Sequence, residues 1–383
     1  MKRVQHKKDA ASITHATNNQ QPTTNNQQPT TNNQQLTTNL KLFLHKLLHW
    51  EYWPMHIVYI PVYFQWAFYA LKARTIFFFN ASNPSVKNGG FMMESKKEIY
   101  NLIPQKYYPK TELIKESTSF ELVLDRINEC QYSYPIIAKP DIGLRGSAVK
   151  KIHNEAELKT YHEKVNFDYL LQDLIPYQNE IGVFYVRYPH EKKGRITGIV
   201  GKEFLIVTGD GKATIEALIK KDPRHELQLK VLQKEYGADL QTVLANGEQR
   251  NLVPYGNHIR GAKFLDFSHF ISPQLTDVIN EMCLQIPAFY FGRLDLMYNT
   301  LEELEQGRNF AVVELNGAAS EPTHIYDPKH SIFFAWKELT RHIRYMFEIS
   351  VANHQKGFPY LTRKAGMKEY RMHLEQSNKI LNF

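Results

Sequence analysis

Two stretches near the carboxyl end alternate apolar and charged positions with period two, as strands do when one face meets a core and the other does not. FGRLDLM at 291–297 sets Arg293 and Asp295 on one face and Leu294 and Leu296 on the other. VVELNG at 312–317 likewise sets Glu314 and Asn316 against Val313 and Leu315. If the two strands pair, two carboxylates, an amide oxygen and a guanidinium converge over one patch of sheet. Upstream, the pattern predicts a short helix in ESKKEI, a helix over Phe120–Glu129, a strand over Tyr134–Lys139, and strand, hinge and strand in LLQDLIPYQNEIGVFYV at 170–186. TIFFFN at 75–80 reads as a buried strand, and ASNPSVKNGG after it as a turn-rich loop in which Gly89 and Gly90 make the turn. Helical spacing in 331–350 predicts a helix packed on the body, and RKAGMKEYRMHLEQSNKI a basic surface helix.

The amino-terminal quarter departs from this patterning twice. Residues 17–39 hold three copies of a polar heptad, TNNQQPT, TNNQQPT and TNNQQLT. Apolar a and d positions are missing, so the period drives no helix association, and a disordered leash is expected. The chain then turns aromatic: LKLFLHKLLHW has the character of a basic amphipathic helix, and three of the four tryptophans (Trp50, Trp53, Trp66) follow closely. Tyr52–Leu71 has no Asp, Glu, Lys or Arg, the length of a membrane span, but Pro54, Pro61, His56 and Gln65 interrupt it. A segment lying in the membrane interface fits best, giving peripheral contact through residues 40–79. A true span and an aromatic element docked on the protein's own core are the alternatives.

Composition narrows the classes. A chain of 383 residues with two cysteines, Cys130 and Cys283, has no disulfide framework and too few thiols for a zinc site, so a reducing, cytoplasmic setting is expected. With the aromatic segment, the inner face of the cytoplasmic membrane is a natural place. The net charge of +8 sits in the two ends: residues 1–50 carry six Lys/Arg against one Asp, residues 361–383 five against two acids, and 51–360 are net neutral. That distribution excludes a groove for nucleic acid and suits surface tethering.

Candidate chemistry follows from the strands. Asp295, Glu314 and Asn316 offer oxygen ligands without Cys or His, which suits a hard cation such as Mg²⁺, usually held by carboxylates together with substrate phosphates. Lys139 ends an apolar strand just before a loop containing Gly143 and Gly146, whose backbone N–H groups can contact phosphates as a lid. The polar hinge at 172–180 can pair backbone groups with an adenine edge, and Glu180 can accept from ribose hydroxyls or be a solvated turn carboxylate. Ser320, Glu321 and His324 in ASEPTHIYDP are polar candidates for the substrate side.

In this order, the lysine of ESKKEI, IIAKP with its glycine loop, LLQDLIPYQNE, GRLDLM and VVELNG resemble the ATP-grasp superfamily over roughly residues 94–330. VTGDGKATIEALIKKDPR at 207–224 and NHIRGAKFLDF at 257–267 look like the matching region of cyanophycin synthetase and related carboxylate–amine ligases. Spacing at the metal strands is similar to that of D-alanine–D-alanine ligase. The resemblance implies an α+β fold in which two α+β subdomains clasp ATP, with a reduced, aromatic-rich amino-terminal segment. It implies a disordered tail at 1–39, the aromatic region at 40–93, the ATP-grasp domain at 94–330 with its lid at about 130–190, and terminal helices at 331–383.

Its implied residues are Lys96 (with Lys97 as the alternative) and Lys139 on the nucleotide phosphates, and Gly143, Arg145, Gly146 and Ser147 in the lid. Gln172, Asp173, Leu174 and Ile175 match the adenine hinge and Glu180 the ribose acid. Asp295, Glu314 and Asn316 match the Mg²⁺ ligands, with Mn²⁺ as a possible substitute. Arg293 and Arg260 fall near the γ-phosphate, and Lys202 and Lys212 are further phosphate or substrate candidates. The expected activity is ATP- and Mg-dependent joining of a small-molecule carboxylate to an amine through an acylphosphate. A phosphotransferase on the same scaffold and a non-catalytic, membrane-tethered nucleotide-binding protein are the competing readings.

Overall fold

A computed structural model of the chain describes residues 39–143, 146–252 and 263–383. The chain divides into residues 1–44 and a body of residues 45–383. The body is built on two antiparallel sheets. The smaller has the order β1 (Thr111–Ile114), β4 (Tyr169–Asp173), β2 (Ile136–Pro140), β3 (Lys150–Ile152). The larger has the order β11 (Phe310–Asn316), β10 (Phe291–Tyr298), β5 (Asn179–Val186), β6 (Arg195–Glu203), β9 (Lys263–Asp266). A two-stranded pair, β7 (Ile206–Thr208) with β8 (Gln249–Asn251), shares a small core with helices Ile215–Ile219 and Leu229–Tyr236.

Alternation along the strands decides what each sheet face does. In the small sheet, Ile136, Ala138, Tyr169 and Leu171 point to helices Phe120–Glu129 and Glu155–Lys164, where Val123, Ile127, Leu158 and Tyr161 complete a core. These helices start where capping residues stand: Ser119 accepts from the Leu122 N–H and Asn154 from the Glu157 N–H. The opposite face of the same strands carries Lys139, Leu170 and Gln172.

In the large sheet, Ile181, Val183, Tyr185, Leu294, Leu296 and Leu315 pack on the apolar stripe of helix Pro273–Leu284. The other face is divided. At one end Phe184, Val186 and Phe291 lie under Tyr69, Phe78, Phe79 and helix Ile332–Gln355; at the other end stand Glu180, Arg293 and Asp295.

The aromatic segment is helical at Met55–Val58 and Ile60–Ala73 and is docked along helix Ile332–Gln355. Tyr69 stacks on Phe347 at 4.0 Å between ring centroids, the Trp336 indole N–H donates to the Val58 carbonyl at 2.9 Å, and Gln65 donates to the Thr340 carbonyl at 2.9 Å. Among the described residues no helix is long and apolar enough to cross a membrane.

TIFFFN is not a strand. Phe78–Ala81 forms a 3-10 turn, and its apolar run meets ring neighbours such as Trp66 and Phe91 instead of a sheet edge. The loop after it is pinned by buried Asn83, which donates to the carbonyls of Gly89 (3.0 Å) and Phe291 (2.8 Å) and accepts from the N–H groups of Tyr290 and Phe291. Gly90, at φ 77°, lies so close to Gly317 that a Cβ would fall 2.7 Å from the Gly317 Cα. That turn therefore fixes the chain just after Asn316, with Ala318 and Ala319 donating to the Gly89 and Gly90 carbonyls.

Candidate functional site

β10 and β11 set Asp295 directly opposite Glu314 and Arg293 opposite Asn316, so all four side chains share one face. A register shift between Asp295 and Leu296 follows, because Glu314 pairs with Asp295 while Val312 pairs with Leu296. Val313 is the extra residue of this bulge, which explains why it is absent from the core that holds Val312 and Leu315. Its carbonyl is thereby turned toward the small sheet and accepts from the Lys139 ammonium at 3.3 Å and from the Tyr100 hydroxyl.

Each charge here has a distinct environment. Arg293 grips Asp295 with two bonds, Nε to Oδ1 at 2.7 Å and a terminal nitrogen to Oδ2 at 3.0 Å, and donates to the Glu321 carbonyl at 3.3 Å. Burial opposes its charge, but Asp295 outweighs this and holds the guanidinium pKa above its ordinary value. Lys96 lies 3.0 Å from Glu314. Burial alone would raise the Glu314 carboxyl; Lys96, Lys139 and Arg293 together bring it down to about 2.

Lys139 is different. Its ammonium donates to the Gln172 side chain at 2.8 Å and the Tyr100 hydroxyl at 2.9 Å, both neutral, and burial pushes its pKa down to about 7 although Glu314 pulls the other way.

Asp141 joins the two lysines. Its carboxylate accepts from the Ser95 hydroxyl and the Lys97 N–H, each at 2.9 Å, and its carbonyl accepts from the Lys96 N–H. The start of helix Lys96–Leu102 is thus tied to the end of β2. The same helix carries Tyr100 one turn after Lys96, so both side chains reach the site. Lys97 points away and donates to the Thr111 carbonyl, which leaves Lys96 as the lysine in the site.

Of the other sequence candidates, Glu180 and Lys202 form an ion pair beside Asp295, and burial of Lys202 is outweighed by Glu180 and Asp295, which raise its pKa. Gln172 is buried between Lys139 and Thr111, accepting from one and donating to the other. Asp173 ends β4, and Leu174 and Ile175 begin an unpaired stretch to β5 that links the two sheets. Gly143 closes on Lys96, where a Cβ would lie 2.7 Å from the ammonium. Gly146, at φ 78°, and Ser147 continue that loop.

Arg145 and Arg260 lie outside the described residues. Lys212 is on an exposed turn whose N–H is held by Asp210. His324 is buried, 3.6 Å from Glu338, and takes a packing position against Gly198. Glu321 accepts from the hydroxyls of Tyr59 and Tyr326, and the Ser320 hydroxyl donates to the Gly317 carbonyl.

Sequence reasoning missed Tyr100, Asp141, the Val313 carbonyl and Glu94. Glu94 stands two residues before Lys96 with one carboxylate oxygen buried and unbonded, and burial raises its pKa. The four-residue spacing of Lys96 and Tyr100 was the available signal for Tyr100.

Two antiparallel sheets thus meet through an unpaired hinge, with a glycine loop and Lys139 from the smaller one held over a carboxylate pair from the larger. No family model matches the sequence. Among curated proteins, the glutathione biosynthesis bifunctional protein GshAB of Clostridium perfringens (strain 13 / Type A) is 26% identical over 137 residues, covering 32% of this chain and 18% of that protein. Solved structures similar to this chain include a bifunctional glutathione synthetase from Pasteurella multocida, with 16% identity, TM-score 0.38, and 68% of this chain and 38% of that one covered. A D-alanine–D-alanine ligase from Bacillus anthracis has 14% identity, TM-score 0.40 and 69% coverage of both chains. The VanG D-Ala:D-Ser ligase from Enterococcus faecalis has 14% identity, TM-score 0.39, and coverage of 66% and 61%. The chain therefore spans about a fifth of the length of the curated relative and well under half of the bifunctional synthetase.

Proposed function

We propose that this protein is an ATP- and Mg²⁺-dependent ligase that activates a small-molecule carboxylate as an acylphosphate and joins it to an amine. The observation that carries the reading is the Asp295–Glu314 pair, opposed across β10 and β11 and faced by buried Lys139 over the Val313 bulge. Asp295, Glu314 and Asn316 would hold Mg²⁺. The donor chemistry fits, since all three offer oxygen from one face of a sheet, and the ion would take the place of Arg293 at Asp295 and of Lys96 at Glu314. Bound there, the ion would screen the triphosphate and withdraw charge from the phosphoryl group being transferred.

The rest falls to the chain's own residues. Lys139 and Lys96 would bind phosphate oxygens, with Lys139 exchanging its neutral partners for an anion. Arg293 would meet the charge that develops at the γ-phosphoryl group. The loop from Gly143 to Ser147, including Arg145, would cover the phosphates and exclude water from the acylphosphate. The stretch from Gln172 to Ile175 would line the adenine and Glu180 the ribose, with Lys202 beside it; Arg260 would serve the phosphoryl end.

In the first step a carboxylate oxygen attacks the γ-phosphorus and ADP leaves. In the second, the amine nitrogen attacks the acyl carbon, inorganic phosphate leaves and the nitrogen gives up a proton. The test is phosphate release by the purified protein with ATP, Mg²⁺ and pooled metabolites, coupled to mass analysis of the products. The reading expects release that requires both a carboxylate and an amine and yields a condensed mass. A phosphorylated product without condensation would make the protein a phosphotransferase instead.

A further inference from the structure

Helix Ile60–Ala73 buries one side and leaves the other uncovered. Val62, Trp66 and Tyr69 face the body, whereas Ile60 (46% exposed), Phe64 (76%), Phe68 (52%) and Leu71 (80%) form a continuous stripe at helical spacing. Phe333 (73% exposed), on the helix packed alongside, is a further exposed apolar side chain, edge-on to Trp336, whose indole bonds Val58. An apolar surface of this size on a protein body marks an interaction site.

The charges around it are of one sign. Residues 52–93 contain no Asp or Glu, while exposed Lys72 and Arg74 end the helix and exposed Lys337 stands one turn after Phe333. The Lys72 ammonium lies over the Phe68 ring, 4.7 Å from its centroid, which sets a positive charge directly against the stripe. Within the body, the chain before this helix adds exposed Lys46.

From this geometry we infer that the outer face of helix Ile60–Ala73, with Phe333, seats on an anionic phospholipid surface. The helix of 14 residues is about 21 Å long, too short to cross a bilayer, and its buried side is held by the body. It therefore lies in the interface plane, with Phe64, Phe68 and Leu71 among acyl chains and Lys72, Arg74 and Lys337 among headgroup phosphates. The inference is independent of the ligase reading.

The test is co-sedimentation of the full-length chain with vesicles of equal parts phosphatidylcholine and phosphatidylglycerol, and with vesicles of phosphatidylcholine alone. Binding to the anionic vesicles is expected, weaker on the neutral ones and falling as salt rises. F64Q/L71Q should weaken binding to both vesicle types by about tenfold or more. K72Q/R74Q should lose about fivefold per charge on anionic vesicles only. Because these side chains are exposed, both variants should melt like the parent. Failure of the parent chain to sediment, or equal binding by F64Q/L71Q, would overturn the inference. A dimer in ultracentrifugation that F64Q/L71Q dissociates, without vesicle binding, would overturn it too and make a second copy the occupant.

Discussion

The two sheets bring buried charge to the same place in opposite conditions. The large sheet supplies Asp295 and Glu314 already matched, the first to Arg293 and the second to Lys96. The small sheet supplies Lys139 with an amide oxygen, a phenol and a peptide carbonyl for company, and its pKa falls to about 7. A matched pair sits in the folded protein without penalty from a missing ligand, whereas a buried cation with neutral partners is relieved when an anion arrives. The difference separates charges that are balanced within the fold from one that is not.

The largest test of that contrast is on the floor. Asp295→Asn and Glu314→Gln should each lower ATP-dependent turnover by about 10²–10³-fold, equivalent to about 3–4 kcal/mol, while far-UV circular dichroism stays that of the parent. Undiminished turnover in both would mean that the carboxylates belong to the fold alone.

Lys139→Met comes next. It should weaken Mg-ATP binding by about 10- to 100-fold, the worth of a charged hydrogen bond of about 1.5–3 kcal/mol. Without ligand its effect on stability should depend on pH. The folded pKa of about 7 lies below the ordinary lysine value, so between the two the unfolded chain holds more protons and stability climbs with pH. Denaturant titrations should show Lys139→Met gaining on the parent at pH 6 and losing that advantage toward pH 10.

Glu314 also makes stability climb with pH, in the acid range and as a gain rather than the relief of a cost. Its carboxyl, depressed to about 2, contributes stability above its ordinary pKa that disappears as pH falls toward 2. Lys96→Met should shrink that acid-sensitive contribution by about 1 kcal/mol, since Glu314 is one-third exposed and screened by water. Of similar size is the effect of Tyr100→Phe, which deletes one neutral partner of Lys139 and should cost about 1 kcal/mol in urea unfolding with little change in turnover.

The sequence made the floor legible because period-two patterning in FGRLDLM and VVELNG fixes which side chains share a face, and β10 and β11 pair as that pattern requires. The strand–hinge–strand unit was readable for the same reason, and helix Phe120–Glu129 from apolar residues four apart at Val123 and Ile127. The bulge at Val313 was not, since an extra residue in one strand leaves no mark when its side chain is apolar. TIFFFN misled because a run of buried aromatics satisfies a strand and a turn inside an aromatic cluster equally well. The three readings of the aromatic segment could not be separated by composition. Helix Ile60–Ala73 has one side docked on the body and the other exposed. Tyr100 and Asp141 were hidden because their roles depend on contacts between elements far apart in the chain.

The most direct measurement is proton uptake on Mg-ATP binding at pH 8, from calorimetry in two buffers of different ionisation enthalpy. At that pH Lys139 is largely neutral in the free protein, and phosphate contact would restore its charge. The account predicts uptake approaching one proton by the parent chain and none by Lys139→Met, which also binds more weakly. Equal affinity and equal uptake in the two proteins would contradict it.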